Sequence, residues 1–363
     1  MITELLRVVH SRGASDLYLS TGRPPMLRLS GRIERLARQR LDAAGFEQLL
    51  RPIVPEETWE LCQERGAADF AYSLPGVARF RVNLFKHERG LAAVLRVIPG
   101  EAVELDALGL PPAVRGLADL DSGLVLITGP TGSGKSTTLA ALVHEMNQTR
   151  ALHLVTIEDP IEFVHESACS LITQREVGAH TRSFSDALRA ALREDPDVVL
   201  VGELRDLETI ELALEAAETG VLVLGTLHTN SAAKTVDRIV NVFPAERQDG
   251  IRAMVGGLLE AVVAQQLVPR IAGGRIAAVE LLLGTPALAA VIRQGKTHQI
   301  KGFLTSGRAQ GMVAMDKSLE QLVEDKVVSG TDALKRADDK DAFRRWLAAR
   351  GEPVDEAVGL RPV

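Results

Sequence analysis

Cysteine is nearly absent from this 363-residue chain. Cys62 and Cys169 are the only two, far apart and without metal-like spacing. That pattern excludes a disulfide framework and points to buried structural thiols in a cytosolic protein. Aromatic residues make up 4% of the sequence, too few for the aromatic–basic interleave that grips single-stranded nucleic acid. Positive charge is not in excess: 42 basic residues face 48 acidic ones, a net charge of −6. No global basic field exists to attract nucleic acid. No run approaches ~18 uncharged apolar residues, so no membrane span is expected. The opening Met1-Ile2-Thr3-Glu4-Leu5-Leu6-Arg7 has no basic segment leading into an apolar core, so no signal peptide is expected. What remains, 46% apolar and 25% charged residues, is the composition of a soluble globular protein. The length suits two or three domains of about 100–200 residues each.

Residues 1–99 form a candidate first domain. Strand-like runs at Leu17-Tyr18-Leu19, Met26-Leu27-Arg28-Leu29 and Phe80-Arg81-Val82-Asn83-Leu84 mix with a helical stretch at 46–50. Gly22, Pro24-Pro25, Gly31 and Pro75-Gly76 separate them as turn signals. Pro99-Gly100-Glu101 opens a stretch ending at Pro111-Pro112 with no strong element, read as a linker over 100–112. From 113 to 285, apolar strand candidates (124–128, 153–157, 198–201, 221–226 and 277–283) alternate with helical segments. This pattern predicts a mostly parallel sheet covered on both faces, an α/β domain. Residues 286–363 form a helical tail, with helices expected near 286–293, 315–325 and 341–350.

The strongest motif is Gly129-Pro130-Thr131-Gly132-Ser133-Gly134-Lys135-Ser136, followed by Thr137. It is the phosphate loop G-x-x-x-x-G-K-[ST], placed between an apolar run and a helical stretch as the motif requires. Glycines let backbone N–H groups face phosphate oxygens, and the helix N-terminus adds partial positive charge. Lys135 reaches the β- and γ-phosphates of ATP, and the Ser136 hydroxyl binds Mg²⁺.

Three further boxes follow. Ile157-Glu158-Asp159-Pro160-Ile161-Glu162 lies just past a strand end, where a parallel sheet presents groups to a ligand. Val198-Val199-Leu200-Val201-Gly202-Glu203 reads as a Walker B strand with Glu203 in place of the usual Asp, a group to hold Mg²⁺ or its waters. His228, with Thr226, Thr229 and Asn230, closes another strand and suits a γ-phosphate sensor. In the first domain Arg79, Arg81, Arg89 and Arg96 gather near one strand-like segment. Arginine planes suit bidentate phosphate binding, although the residues alone leave a solvated strand face equally open.

With these boxes in order, the chain resembles the secretion-type ATPases, specifically the type IV pilus retraction motors of the twitching-motility group, over about 1–345. The most specific stretches are 129–137, 156–165, Gln174-Arg175-Glu176-Val177-Gly178, 187–211 and 216–231. The resemblance implies a PAS-like α+β N-terminal domain, a RecA-like ATPase domain and a homo-hexameric ring. It assigns Glu162 as the glutamate that polarises water, Glu203 to the Mg²⁺ site and His228 to nucleotide sensing. Arg81 and Arg96 match the arginines that the first domain brings to the nucleotide. It implies a cytoplasmic protein, peripheral at the inner-membrane pilus machine, acting on a membrane-embedded platform protein. A four-cysteine zinc module, frequent in pilus assembly and type II secretion ATPases, is missing, which favours retraction. The main motors carry an Ala-Ile-Arg-Asn-Leu-Ile-Arg-Glu signature; here it reads Ala287-Leu288-Ala289-Ala290-Val291-Ile292-Arg293-Gln294. Together with the stretches at 295–301 and 332–338, that change leans toward the accessory paralogue of the group, which partners a main motor. An assembly ATPase and an accessory subunit of a mixed ring therefore stay open. A nucleic-acid motor is disfavoured by charge and composition.

Overall fold

Alternation of apolar and polar residues builds the first sheet of the computed structural model, which describes residues 1–29, 32–36, 39–98 and 103–352. Gly31, the Pro99-Gly100-Glu101 opening of the expected linker and residues 353–363 lie outside the described residues. The chain forms two units, Met1–Glu101 with Glu162–Val164, and Ala102–Ile161 with His165–Val363.

The first unit runs α1 (Ile2–Ser11), β1 (Asp16–Ser20), β2 (Met26–Leu29), β3 (Arg32–Arg35), α2 (Ala43–Leu50), α3 (Glu56–Arg65), β4 (Ala67–Leu74), β5 (Ala78–His87) and β6 (Gly90–Ile98). The sheet order is β3-β2-β1-β6-β5-β4, with every pairing antiparallel. Leu17, Leu19, Phe80, Val82, Leu84, Ala93 and Leu95 pack against Leu6 and Val9 of α1, Phe46 and Leu50 of α2, and Trp59 and Cys62 of α3. Side chains alternate along a strand, so Asp16, Arg81 and Arg96 fall on the face opposite these helices.

The second unit starts with β7 (Gly123–Thr128), α4 (Lys135–Thr149), β8 (His153–Glu158), β9 (Leu171–Glu176), α5 (Phe184–Ala191), β10 (Val198–Val201), α6 (Leu207–Glu218) and β11 (Leu222–Leu227). It continues with α7 (Ala232–Asn241), α8 (Gln248–Leu258), β12 (Leu259–Pro269), β13 (Arg275–Leu283), α9 (Pro286–Arg293), α10 (Ile300–Ser306), α11 (Met315–Glu324), α12 (Gly330–Arg336) and α13 (Lys340–Ala349). The sheet order is β13-β12-β7-β11-β10-β8-β9. It is parallel except for β13, which pairs antiparallel at one edge. β7, β10 and β11 are buried along their whole length. Alternate residues feed two cores. Leu124, Leu126, Val199, Val201 and Val223 pack with α5 to α10. Val125, Ile127, Val198, Leu200, Leu222 and Leu224 pack with α4 and the segment 105–118. A third cluster seats α11 to α13 on Val268, Ile276 and Ala278 of the β12–β13 hairpin.

All five expected strands of this sheet are present. Two strands lay outside the expectation. β9 is an edge strand whose second half is polar, with Gln174 and Arg175 half-buried and Glu176 buried. β12 follows α8 without a turn, so its apolar run merges with that of the helix. The segment expected as a linker is described from residue 103 onward. Its described part holds a 3-10 turn, Leu105–Leu108, and Leu105 is buried with Leu117, Val125 and Ile127. An apolar anchor and the Asp106–Arg115 ion pair at 2.8 Å fasten this stretch to the second unit. Of the two thiols, Cys62 is buried as expected, but Cys169 is exposed. Among the described residues no helix is long and apolar enough to cross a membrane.

Glu280 of β13 is 4% exposed, and its Oε1 accepts a 2.7 Å hydrogen bond from the Ala232 N–H at the start of α7. Burial pushes its carboxyl up to about 7; Asp338 and Asp316 push the same way, while the Ala232 N–H and Lys301 oppose them. A carboxyl raised in the folded state stabilises the fold below its unfolded value and loses that contribution as pH rises through the folded one. The Tm of Glu280→Gln relative to wild type should therefore climb between about pH 4.5 and 7 and level off above. The swing should reach at most about 3 kcal/mol. A flat difference across pH 5–8 would contradict this assignment.

Candidate nucleotide-phosphate site

β7 ends at Thr128, and the chain turns through 129–134 into α4. Gly129 holds φ 146°, and a Cβ there would lie 2.3 Å from the Gln265 carbonyl oxygen and 2.6 Å from Ser133 Oγ. Only glycine fits so close an approach. Gly134 takes φ 89° as the N-cap of α4, without a side-chain cap and with no acid in the first turn. The positive end of this fifteen-residue helix is thus left for an anion. Lys135 is 9% exposed; its Nζ donates to the carbonyls of Gly129 at 3.0 Å and Pro130 at 3.3 Å. The ammonium is therefore held inside the loop. Ser133 Oγ is buried and has no hydrogen-bond partner among the described residues.

Sequence reasoning missed Gln265. It sits on β12, 1% exposed, and both ends of its amide are used. Nε2 donates to the Ser133 carbonyl at 2.8 Å, and Oε1 accepts from Thr138 Oγ1 at 3.1 Å. One side chain therefore ties the loop to the first turn of α4. The available signal was the polar pair Gln265-Gln266 inside an apolar run.

Beside the loop opens a cavity of about 430 Å³, walled by Leu108, Leu110, Leu267 and Ile276, floored by Gly134, Thr137 and Thr138, and edged by Arg270 and Arg275. Its volume falls in the range of small-molecule sites. A larger groove of about 580 Å³ lies in the first unit against α1 and α2 and gathers none of the predicted residues.

Two predicted residues meet directly. Glu203, just past β10, contacts His228 Nε2 at 3.2 Å and Arg205 Nη2 at 2.7 Å. Burial works to raise the Glu203 carboxyl, but Arg205 and then His228 outweigh it, so the value lies below the ordinary one. Neighbouring parallel strands explain the pairing: Val201 of β10 faces Gly225 of β11, and Thr226 Oγ1 donates to the Gly202 carbonyl at 2.5 Å. Arg205, two residues after Glu203, was not singled out from the sequence. Glu162 is exposed, beyond the end of β8. Within that acidic box, Glu158 turns inward and accepts from Thr156 and Gln174.

In the first unit, Arg81 and Arg96 are cross-strand partners on β5 and β6. Arg96 Nε donates to Asp16 Oδ1 at 2.9 Å, and Arg81 lies 3.8 Å from Asp69.

Comparison with known proteins decides the family. Residues 4–346 match the family described as type II/IV secretion system protein. The chain belongs to that family. It is 49% identical over 336 residues to the type IV pilus retraction ATPase PilT of Pseudomonas aeruginosa, covering 93% of this chain and 98% of that protein. It is 39% identical over 350 residues to the type IV pilus ATPase PilU of the same organism, covering 96% and 92%. A crystal structure of the pilus retraction motor PilT with bound ADP superposes with a TM-score of 0.89 at 43% identity, covering 95% of this chain and 99% of that one.

Gln265→Leu should raise the dissociation constant for ATP about tenfold. It should also cost roughly 1–3 kcal/mol in a urea melt, because the Ser133 carbonyl and the Thr138 hydroxyl lose their partner. Unchanged ATP affinity beside lowered stability would reduce Gln265 to a core residue.

Proposed function

We propose that this chain is an ATP-hydrolysing motor for type IV pilus retraction and twitching motility. It works as a homo-hexameric ring at the cytoplasmic face of the inner membrane. The observation that carries this reading is the 123–149 strand–loop–helix, with Lys135 held inside the loop and an acid-free helix N-terminus behind it. The 49% identity to a pilus retraction ATPase over nearly the whole of both chains supports the direction of work. In this reading residues 1–99 form a PAS-like domain, 113–285 a RecA-like ATPase domain and 286–363 a helical C-terminal region. The 100–112 segment joins the first two.

ATP binds with its phosphates on 129–137 and its nucleoside in the cavity beside Thr137 and Leu267. Lys135 exchanges its loop carbonyls for the β- and γ-phosphates. The Ser136 hydroxyl and the Glu203 carboxylate, kept ionised by Arg205 and His228, are hard oxygen donors of the kind Mg²⁺ takes. Held there, Mg²⁺ would supply positive charge to offset that of the phosphates. Glu162 aligns and polarises the attacking water. His228, in contact with Glu203, registers the state of the γ-phosphate. Arg81 and Arg96 offset γ-phosphate charge as the first domain closes, a contribution of about 10³-fold or more in related phosphoryl-transfer enzymes. Closure and release around the ring, a hinge-type transition, act on the platform protein and draw pilin subunits out of the filament.

A second reading is favoured by one stretch. On α9, Ala289 and Ala290 stand where main motors carry an Arg-Asn pair. A subunit altered there works as an accessory paralogue beside a main motor. The higher identity to PilT than to PilU weighs toward the main motor.

Glu162→Gln should bind ATP at near wild-type affinity while hydrolysis falls about 100-fold or more, in the range a positioned base contributes; near-normal turnover would remove Glu162 from this role. A strain without the gene should carry excess pili and fail to twitch, rescued by wild type and not by Glu162→Gln. Bald cells would mean an assembly ATPase, and normal pilus numbers with weakened motility the accessory role. In Glu203→Ala the Mg²⁺ titration of ATPase activity should shift to higher concentration; an unmoved curve would place Glu203 outside the metal site.

A further inference from the structure

Asp16 stands on the arginine-bearing face of the first sheet and yet is 2% exposed. The register explains its surroundings. A single cross-strand row runs Arg28–Asp16–Arg96–Arg81 across β2, β1, β6 and β5, and Asp16 lies between the first two of its three arginines. Asp16 Oδ1 accepts from Arg96 Nε at 2.9 Å. Oδ2 accepts from Ser15 Oγ at 2.8 Å and lies 3.6 Å from Arg28 Nε. Arg28 is itself anchored, donating Nε to the Tyr18 hydroxyl at 2.8 Å. The carboxylate is thus shared between its two arginine partners and a serine hydroxyl.

The geometry at Arg96 is selective. Its contact with Asp16 uses Nε, while the side chain remains 67% exposed. A guanidinium anchored through Nε keeps its two terminal nitrogens as a planar fork, the geometry that binds phosphate bidentately. Arg81 makes a looser contact, 3.8 Å to a carboxylate that is itself 54% exposed. The two arginines therefore differ: Arg96 is oriented by a buried anion, and Arg81 only by an exposed one at longer range.

We propose that Asp16 is a positioning residue for phosphoryl transfer, holding the Arg96 fork in one orientation and separating it from the charge of Arg28. This rests on the reading that Arg96 acts on the γ-phosphate. Without the carboxylate, Arg28 and Arg96 become like-charged neighbours across β1, and Arg96 loses its anchor. The hydrogen bond to Asp16 is also the largest influence on Arg96, holding it firmly in its charged form.

The test uses the full-length protein with Asp16→Asn, Asp16→Glu, Arg96→Ala and the Asp16→Asn/Arg96→Ala double variant, each checked for folding by circular dichroism. ATP turnover is measured as separate kcat and KM. Asp16→Asn should lower kcat roughly 10- to 100-fold, the loss that misplacing a catalytic group brings, with KM within about threefold. The double variant should be no slower than Arg96→Ala alone, since the two act as a unit. Asp16→Glu, which keeps the charge, should retain more turnover than Asp16→Asn. Wild-type kcat in a folded Asp16→Asn variant overturns the proposal. So do losses that multiply in the double variant, or equal losses in Asp16→Asn and Asp16→Glu. Wild-type kcat in Arg96→Ala instead overturns the reading of Arg96 on which the proposal depends.

Discussion

The approach of the Gly129 backbone to the Gln265 carbonyl is the constraint on which the phosphate site depends. A Cβ at this position would sit 2.3 Å from that oxygen, so β7 can leave the sheet this close to β12 only as glycine. The loop then has one course open to it. Gln265 fastens it from the other side by taking up the Ser133 carbonyl and the Thr138 hydroxyl. Central strands buried on both faces make this arrangement stiff, because close-packed interiors do not deform gradually.

Within each unit, charges are held by specific partners. Lys135 is buried and satisfied by loop carbonyls, which keeps a cation where bare burial would be expensive. Glu203 is kept ionised by Arg205 and His228 on the adjoining strand ends. In the first unit, Asp16, buried between two arginines, is a carboxylate held in the same way as Glu203. In each case one charge, buried or half-buried, is stabilised by specific partners and in turn orients them. Such pairs add less to stability than to geometry.

Legibility in the sequence followed the strength of local pattern. β7, β8, β10, β11 and β13 could be read because each is a mostly apolar run in a doubly covered sheet. β9 could not, because its edge position leaves Gln174 and Arg175 half-buried. Nor could β12, whose first residue follows directly on α8. Leu105 falls in the segment expected as a linker, because nothing local shows that it docks beside Val125 and Ile127. Among site residues, the phosphate loop and the strand-end acids are short motifs with fixed spacing. Gln265 and Asp16 act across 132 and 80 residues of chain, and no local spacing can announce such partners.

By itself the sequence determined the chemistry. Eight consecutive residues with the right flanks specify a phosphate-binding loop, since glycine placement and a lysine before the helix are local requirements of backbone conformation. It determined the strand-end positions of Glu203 and His228 for the same reason. Only the tertiary structure decided which of these groups touch. The parallel register of β10 and β11 sets Glu203 beside His228, and the antiparallel register of β2, β1, β6 and β5 lines up Arg28, Asp16, Arg96 and Arg81. Strand register depends on the burial of whole faces, a property of the assembled sheet rather than of any segment.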